Sequence, residues 1–241
     1  KKAGQRPREF YKLSDVNIEF LHHLIAPYIY ECDFNFDKDE TTQYIRIIAS
    51  NDNREDYNVK KQTLLNSLGK GESIIEQFQN LAFSCFNDKK RHEEIAGYIK
   101  NQGQIIVFCT FIEEAENIAN ELNCYLITGA TPLKERAVIL DKFKNDNKAL
   151  VMTLGTGAYG LNLQFCNKVA FASITFDYSK TEQAISRIKR IGQENDIEYI
   201  YFTSDLGIFN MILENNEKKR DLKELLIDKI EQGGSYFEEV L

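Results

Sequence analysis

The hydrophobic pattern of the chain changes character near residue 103. Before that point apolar residues recur at helical spacing, and they predict helices over 16–30, 56–68, 73–85 and 88–101. Residues 41–49 differ, because alternating and β-branched residues there predict a strand. After residue 103, short apolar runs alternate with amphipathic stretches. The runs predict strands at 104–109, 124–128, 149–153, 169–173 and 198–203, and the stretches predict helices over 112–122, 133–144 and 181–191.

This alternation of strands and helices is typical of a parallel sheet that is buried on both faces. The fold class we predict is therefore α/β, with helical segments before and after the sheet. We divide the chain into a helical connector or arm over 1–102, an α/β core over 103–204 and a helical brace over 205–241. The brace is predicted to contain helices over 206–215 and 218–232.

Composition narrows the class of protein without naming a ligand. The 241 residues are 43% hydrophobic and 28% charged, which fits a soluble domain with a real core, and no apolar run approaches the roughly 20 residues of a membrane span. The net charge of −7 argues against a general polyanion-binding surface but leaves room for a local groove. Five cysteines without C-x-x-C spacing and three histidines predict reduced thiols and no metal site. The chain starts with Lys1 rather than Met, so we expect a fragment of something longer.

Residues 182–193 carry the clearest candidate chemistry. As a helix, this segment has an apolar stripe formed by Ala184, Ile185, Ile188 and Ile191. Gln183, Arg187 and Arg190 are spaced four and three apart, so they share another face. Two guanidiniums and an amide on one face suit a bound phosphate, because each guanidinium can donate two N–H bonds to anionic oxygens. The alternative is an ordinary amphipathic helix with solvated arginines.

Small hydroxyl residues and glycine follow three of the predicted strands. They are Thr110, Thr128 with Gly129, and Thr153. Ligands of open parallel sheets bind beyond the carboxyl ends of the strands, so we expect these residues to contact the phosphates of a nucleic acid. Ordinary turn and capping chemistry is the alternative for each of them.

Residues 155–160 spell G-x-G-x-x-G after a strand, but a dinucleotide site does not fit. Only residues 161–168 separate Gly160 from the next strand, whereas the crossover of that fingerprint needs about a dozen residues or more. We interpret the segment as a glycine-rich loop that lets the backbone approach a ligand. The phosphate-binding motif G-x-x-x-x-G-K-[ST] does not occur in the sequence. Candidate arginines without a nucleotide cradle indicate half of an ATPase.

These segments together resemble the second RecA-like lobe of the Swi/Snf-type DNA-dependent ATPases of helicase superfamily two. EQAISRIKRIGQ (182–193) is similar to helicase motif VI, and TLGTGAYGLNLQFCNKVAF (153–171) is similar to motif V. QIIVFCTF (104–111) resembles motif IV, and ITGATPLKERAVILDKF (127–143) resembles the segment that follows it. The flanks agree more weakly, and the resemblance is strongest over 104–204.

The resemblance implies a RecA-like parallel sheet of the P-loop NTPase type, here a second lobe that lacks a Walker A motif. In this family ATP lies between two lobes, and the missing N-terminal lobe would hold the ATP and its Mg²⁺. Arg187 and Arg190 would be the catalytic arginine fingers, facing the cleft on the side of the strands' carboxyl ends. The residues beside the nucleotide would be Gln183, Gly157, Gly160 and Asn162.

The same resemblance assigns contacts to the DNA backbone to Thr110, Thr128, Gly129 and Thr153. It implies ATP-driven movement along double-stranded DNA without strand separation, with duplex DNA and the N-terminal lobe of the same protein as partners and no membrane. We expect the isolated chain to be inactive as an ATP hydrolase. Motif V departs from the family pattern at residues 155–158, which leaves open which residues couple the two sites.

Two alternatives remain at this point. The chain could be a non-catalytic interaction module that kept the fold, or a lobe of an RNA helicase. Retention of both arginines and of Gln183 favours a working motor, and the I-G-Q ending of motif VI favours the DNA translocase. A compact, divergent member of the family suggests a bacterial or viral setting in the cytoplasm, and a nucleus is the other location we consider.

Overall fold

A computed structural model of the chain describes residues 20–21, 23–24, 36–68, 74–157, 161–219, 222, 225–226 and 235–241. The chain forms two compact units, Lys1–Asn35 and Phe36–Leu241. In the first unit the described residues, 20–21 and 23–24, are helical, and the rest of the helix predicted over 16–30 lies outside the described residues. The second unit contains every element named below.

Six strands form one sheet in which every neighbouring pair is parallel. They are β1 (Glu40–Ile47), β2 (Ile105–Cys109), β3 (Tyr125–Ile127), β4 (Ala149–Thr153), β5 (Lys168–Phe171) and β6 (Ile197–Ser204). Their order across the sheet is β1-β6-β5-β2-β4-β3. The predicted α/β class is confirmed, and the bounds of each predicted strand agree with the structure to within a residue or two.

Helices fill the connections between these strands. They are α1 (Asn51–Ser67), α2 (Ile74–Phe86), α3 (Lys89–Ile99), α4 (Ile112–Leu122), α5 (Leu133–Lys144), α6 (Leu154–Gly157), α7 (Tyr178–Ser186), α8 (Gly207–Glu217) and α9 (Ser235–Val240). The predicted helices 112–122 and 133–144 match α4 and α5. The helix predicted over 218–232 lies mostly outside the described residues.

The sheet separates two hydrophobic cores, and the central strand β2 contributes to both. Its alternate residues Ile106 and Phe108 face the core that packs on α1, α2, α5, α7 and α8. Ile105 and Val107 face the core that packs on α3 and α4. Every residue of β2 and of β4 is buried, which explains why both strands appear in the sequence as unbroken apolar runs. A ligand must therefore approach these strands from their ends.

Strand β1 is an edge of the same sheet, although the sequence placed it in a separate helical arm. It pairs with β6 from Glu40 opposite Ile197 to Ile47 opposite Ser204. Helices α1 to α3 then connect it to β2, so the compact unit begins at Phe36 and not at residue 103. Six of the eight β1 residues are exposed, so the segment lacks the long apolar run that marks a strand of a buried sheet.

Helix α7 ends earlier than the predicted helix 181–191, and this changes the setting of the arginines. Its last residue is Ser186, and Arg187 caps it with a backbone N–H that donates to the carbonyl of Ala184. The carbonyl of Arg187 in turn accepts the N–H of Leu163 at 3.1 Å. The chain then turns through Gly192, whose φ of 99° suits glycine. Arg190 consequently lies in a loop after the helix.

The described residues include neither a membrane-spanning helix nor a metal-binding cluster. None of their helices is long and apolar enough to cross a membrane. No group of three or more histidine, cysteine, aspartate or glutamate side chains among them could hold a metal ion. The cysteines that the structure describes, Cys85, Cys109, Cys124 and Cys166, are free thiols.

Candidate functional site

A cleft of about 300 Å³ opens where the polypeptide leaves the carboxyl ends of four neighbouring strands, β2, β3, β4 and β5. We call it the threonine cleft. The residues that line it are Thr110, Ile112, Gly129, Thr153, Leu154, Gly155, Thr156, Thr175 and Lys180. Three of the four residues predicted to contact DNA therefore come together on this surface, as expected for residues that follow parallel strands.

The threonine side chains of the cleft differ in how they are held. The hydroxyl groups of Thr153 and Thr156 hydrogen-bond to each other, and both residues are buried. Thr110 donates its backbone N–H to the Oγ of Ser173 at 2.7 Å. Its own hydroxyl is buried and has no hydrogen-bond partner among the described residues. A buried donor of this kind is costly to leave unpaired, so a ligand oxygen would be a favourable partner for it.

Thr128, the fourth predicted DNA contact, is turned into its own loop. It is only 5% exposed, and its hydroxyl accepts the N–H of Ala130 at 3.3 Å. Its backbone N–H donates to the Oγ1 of Thr131 at 3.0 Å, and its carbonyl accepts Nη2 of Arg136 at 3.2 Å. The side chain therefore shapes the turn that presents Gly129.

Two glycines leave the mouth of the cleft open. A methyl group added at Gly129 or at Gly155 would meet no heavy atom of the described chain within 4 Å. Neither residue has the positive φ that would itself require glycine. The protein's own packing therefore does not demand glycine here, and the space beside both residues is available to a ligand backbone.

The one cation among the residues that line the cleft is Lys180, at the start of α7. Its Nζ lies 3.4 Å from the carboxylate of Asp177, the residue that precedes the helix. Burial acts to raise the pKa of Asp177, but the hydrogen bond from Ser179 and the charge of Lys180 outweigh it and hold the pKa below its usual value. Asp177 is therefore ionised at neutral pH, and its negative charge lies beside the Lys180 ammonium at the rim of the cleft.

A second surface surrounds residues 187–193, which we call the arginine loop. Arg190 is exposed, and its Nη1 donates to Oδ1 of Asn162 at 2.6 Å. Arg187 is half-buried. The buried side chain of Gln193 donates through Nε2 to the carbonyl of Cys166 at 3.1 Å. These bonds tie the arginine loop to residues 162–166, so the segments predicted as motifs V and VI are in direct contact.

The arginine loop lies at the amino ends of the strands, and the expectation that it faces their carboxyl ends is wrong. Lys189 pairs with Glu40, the first residue of β1, and the adjacent segment 162–167 leads directly into β5. The physical reason is the crossover itself. Helix α7 begins beyond the carboxyl end of β5 and must return the chain to the amino edge before β6 can run parallel to it. The threonine cleft and the arginine loop are therefore separate surfaces.

The remaining predicted nucleotide contacts are only partly brought together. Gln183 is exposed on α7, one turn before the arginine loop. Asn162 contacts Arg190 directly. Gly157 is the last residue of α6, and Gly160 lies outside the described residues. Two members of the predicted set therefore meet in the structure, Asn162 and Arg190.

Comparison with known proteins shows which proteins this chain resembles in sequence and in fold. Residues 89–192 match the family model described as the helicase conserved C-terminal domain. The chain is 32% identical over 136 residues to the DNA repair protein RAD5 of Candida glabrata, and 31% identical over 113 residues to the helicase swr1 of Emericella nidulans. Over residues 89–192 the chain is therefore similar to helicase C-terminal domains.

Solved structures share the fold of this chain. The Sulfolobus solfataricus SWI2/SNF2 ATPase core domain superposes with a TM-score of 0.61 at 20% identity, over 88% of this chain and 51% of that one. The same core in complex with dsDNA gives a TM-score of 0.59 at 22% identity, over 94% and 55%. The C-terminal part of the Fun30 ATPase domain gives a TM-score of 0.59 at 13% identity, over 77% and 91%.

This chain covers only a small part of its curated relatives. The aligned region is 51% of this chain but 12% of the C. glabrata protein, and 46% of this chain but 7% of the E. nidulans protein. The chain thus matches only a short region of those much longer proteins.

Sequence reasoning missed several residues that line or support these surfaces. Thr156, Thr175 and Lys180 line the threonine cleft, and Gln193 fastens the arginine loop. Thr156 and Gln193 lie inside the segments predicted as motifs V and VI, so the sequence held a signal for them. Thr175 and Lys180 follow β5, and the rule that ligands bind beyond the carboxyl ends of parallel strands predicts them as well.

Proposed function

We propose that this chain is the C-terminal motor lobe of an ATP-dependent, Swi/Snf-like translocase that moves along duplex DNA. The observation that carries the proposal is the match of residues 89–192 to the helicase C-terminal domain, on a parallel sheet whose fold is that of SWI2/SNF2 ATPase cores. The two separate surfaces support it, because a motor lobe needs one contact region for nucleotide and another for DNA.

We assign the arginine loop to the nucleotide. Arg187 and Arg190 would act as arginine fingers toward ATP and Mg²⁺ held by the N-terminal lobe, with Gln183 and Asn162 beside them. Bound ATP would supply the phosphoanhydride bond whose cleavage drives the motor. The donor set fits such a group: in the described part of the chain Arg190 forms no ion pair and is held by a neutral amide. Its charge is therefore available to a phosphate.

The test of this assignment is Arg190→Ala in a protein that joins this chain to its N-terminal lobe. We expect DNA-stimulated ATP hydrolysis to fall by roughly 10³- to 10⁵-fold, the range that arginine fingers supply. Arg46→Ala is the matched control, because it removes the same charge from an exposed position on β1. Turnover that stays at the level of the control would refute the assigned role of Arg190.

We assign the threonine cleft to the DNA backbone. Thr110 and Thr153 would contact phosphate oxygens, and Gly129 would let the sugar–phosphate backbone approach closely, with Thr128 shaping the turn beneath it. A similarly folded ATPase core has been solved with dsDNA, which supports a duplex as the ligand. Binding to duplex DNA and to duplex RNA of one sequence, compared in the chain and in Thr153→Val, tests both the site and the choice of nucleic acid.

We infer a nuclear setting for the whole protein. The relatives reported above are fungal proteins, one of them named for DNA repair. Those relatives give no support to the bacterial or viral setting that the compact sequence suggested. Microscopy of the tagged full-length protein would test the location.

A further inference from the structure

Glu114 is a completely buried acid directly behind the threonine cleft. It is the third residue of α4 and has 0% exposure. Its Oε2 accepts the hydroxyl of Ser173 at 2.6 Å and the backbone N–H of Thr110 at 3.3 Å. The same oxygen lies 3.5 Å from the backbone N of Phe111, at the limit of a hydrogen bond. Oε1 has no hydrogen-bond partner among the described residues.

This carboxyl group accepts from the backbone N–H groups that lead into α4. The first N–H groups of a helix, together with its dipole, attract anions. At the start of α4 the N–H groups of Thr110 and Phe111 already point at Glu114. A phosphate bound at Thr110 then has a negative charge directly behind it whenever Glu114 is ionised.

The surroundings of Glu114 do not neutralise it. In the described structure no cation lies within ion-pair distance of its carboxylate. The charge of Arg91, on α3, lowers the pKa of Glu114, but that guanidinium donates to the carbonyls of Ala172, Phe202 and Thr203. The other titratable groups that face it are the thiols of Cys85 on α2 and Cys109 on β2, and burial raises the pKa of both, which keeps them neutral.

Desolvation raises the pKa of Glu114 to about 7, against the opposing effects of the Ser173 hydrogen bond and the Arg91 charge. The side chain therefore exchanges its proton within the physiological range. Protonation leaves the hydrogen-bonded brace in place, because a neutral carboxyl group still accepts the N–H of Thr110. It removes the negative charge behind the cleft.

We propose that Glu114 is a positioning residue of the threonine cleft, whose negative charge opposes a phosphodiester at Thr110 until the carboxyl group takes up a proton. DNA binding by this chain is then coupled to proton uptake. The inference depends on the assignment of the cleft to DNA, which is the proposed function above. Glu114 itself does not touch the DNA; it acts through the backbone of Thr110 and through the charge it places there.

The test measures the affinity of the chain for a duplex oligonucleotide, labelled with a pH-insensitive dye, between about pH 6 and pH 8 at constant ionic strength. We expect wild-type affinity to rise roughly 3- to 10-fold as the pH falls, by relief of like-charge repulsion. Glu114→Gln keeps the shape and one acceptor oxygen. It should bind at every pH as tightly as the wild type does at low pH.

Glu113→Gln is the matched control, because it removes the same charge from the neighbouring, exposed position. It should keep the wild-type pH profile. Ser173→Ala provides a second measurement. Loss of the hydroxyl that stabilises the carboxylate should move the midpoint of the profile to higher pH.

The outcomes separate the two proposals. If DNA binds, Thr153→Val weakens it and Glu114→Gln has the same pH profile as Glu113→Gln, the role of Glu114 is refuted while the cleft assignment stands. If Thr153→Val and Glu114→Gln both leave DNA affinity unchanged, the cleft assignment itself fails. A flat Glu114→Gln profile beside a sloping Glu113→Gln profile supports the inference.

Discussion

At the scale of single residues, the two buried ionisable side chains Arg91 and Glu114 are each held by hydrogen bonds. Arg91 is 2% exposed, and its guanidinium donates to three backbone carbonyls at the carboxyl ends of β5 and β6. Glu114 is equally buried, and Nε of Arg91 and Oε1 of Glu114 both lack a hydrogen-bond partner among the described residues. Burial of a charge is costly unless hydrogen bonds replace the lost water. The cost of burial is therefore only partly compensated at both residues.

The raised pKa of Glu114 should make the folded protein less stable as the pH rises. The pKa rises from 4.5 to about 7 on folding, so between these values the folded protein keeps a proton that the unfolded chain has lost. Stability contributed by the protonated acid is thus lost as the pH rises through this window. The difference in unfolding free energy between Glu114→Gln and wild type should therefore shift in favour of the variant by on the order of 3 kcal/mol between about pH 4.5 and pH 8. This follows from about 1.36 kcal/mol per pKa unit.

Urea unfolding at several pH values measures this difference. Glu113→Gln serves as the control, because Glu113 is exposed on the same turn of α4. A stability difference between Glu114→Gln and wild type that is the same at pH 5 and pH 8 would show that the carboxyl group does not titrate in this range.

Gly129→Ala should separate folding from DNA binding. The added methyl group meets nothing within 4 Å, and the residue has no positive φ, so we expect stability to stay the same or to rise by about 0.4–1 kcal/mol. Under the proposed function the methyl group lies where the DNA backbone approaches, and affinity for duplex DNA should fall several-fold. Thermal unfolding and a DNA titration on one preparation measure both. Full DNA affinity in a folded Gly129→Ala would remove Gly129 from the contact surface.

The sequence predicted the residues at the ends of the strands, but not the buried charged residues on the helices that pack against the sheet. Thr110 and Thr153 were found because each follows an apolar run, and a short run has one well-defined end. Glu114 and Arg91 lie on amphipathic helices, where a charged residue is expected to face water. Their burial depends on which strands lie opposite them, and that information is not present in local spacing.

At the scale of whole elements, helix α3 offers a position for stabilisation. Gly97 is exposed in the interior of the helix, and an added methyl group would meet no described atom within 4 Å. Glycine is about 1 kcal/mol less favourable than alanine inside a helix. Gly97→Ala should therefore raise the unfolding free energy by about 1 kcal/mol and leave DNA affinity unchanged. This makes it a suitable control for Gly129→Ala, and a loss of stability would indicate a contact at Gly97 that the structure lacks.

Elements with strong internal patterns were predicted well, and elements that end through tertiary contacts were not. The five strands after residue 103 and helices α4 and α5 follow directly from their apolar spacing. Helix α7 was extended to residue 191 because Ile188 and Ile191 continue its stripe. In the structure Ile188 is buried but Ile191 is 80% exposed, and the bond between Arg187 and Leu163 draws the chain out of the helix. The end of α7 is therefore set by Leu163, a residue that is distant in sequence.

At the scale of the whole molecule, the sheet gains a strand from a distant part of the sequence. Nearly 60 residues, folded into α1, α2 and α3, separate β1 from β2, and β1 pairs with β6 at the other end of the unit. The stacked rings of Tyr44, Tyr201 and Phe171 continue this pairing across three strands. Pairing over such a sequence distance leaves no local signal, which is why the boundary at 102 could be drawn from pattern and is not seen in the structure.

The isolated chain should lack the parts of a complete ATP hydrolysis site. Its sequence has no G-x-x-x-x-G-K-[ST] loop to hold phosphates, and the arginine loop supplies charge to a transition state that another lobe must assemble. We therefore expect the isolated 241-residue chain to release no phosphate from ATP above the buffer rate, with or without duplex DNA, and to bind ATP only weakly by calorimetry. The Arg190→Ala chain should behave in the same way. Hydrolysis by the isolated chain that disappears in Arg190→Ala would show a complete catalytic site within this lobe, and the division of labour between two lobes would have to be abandoned.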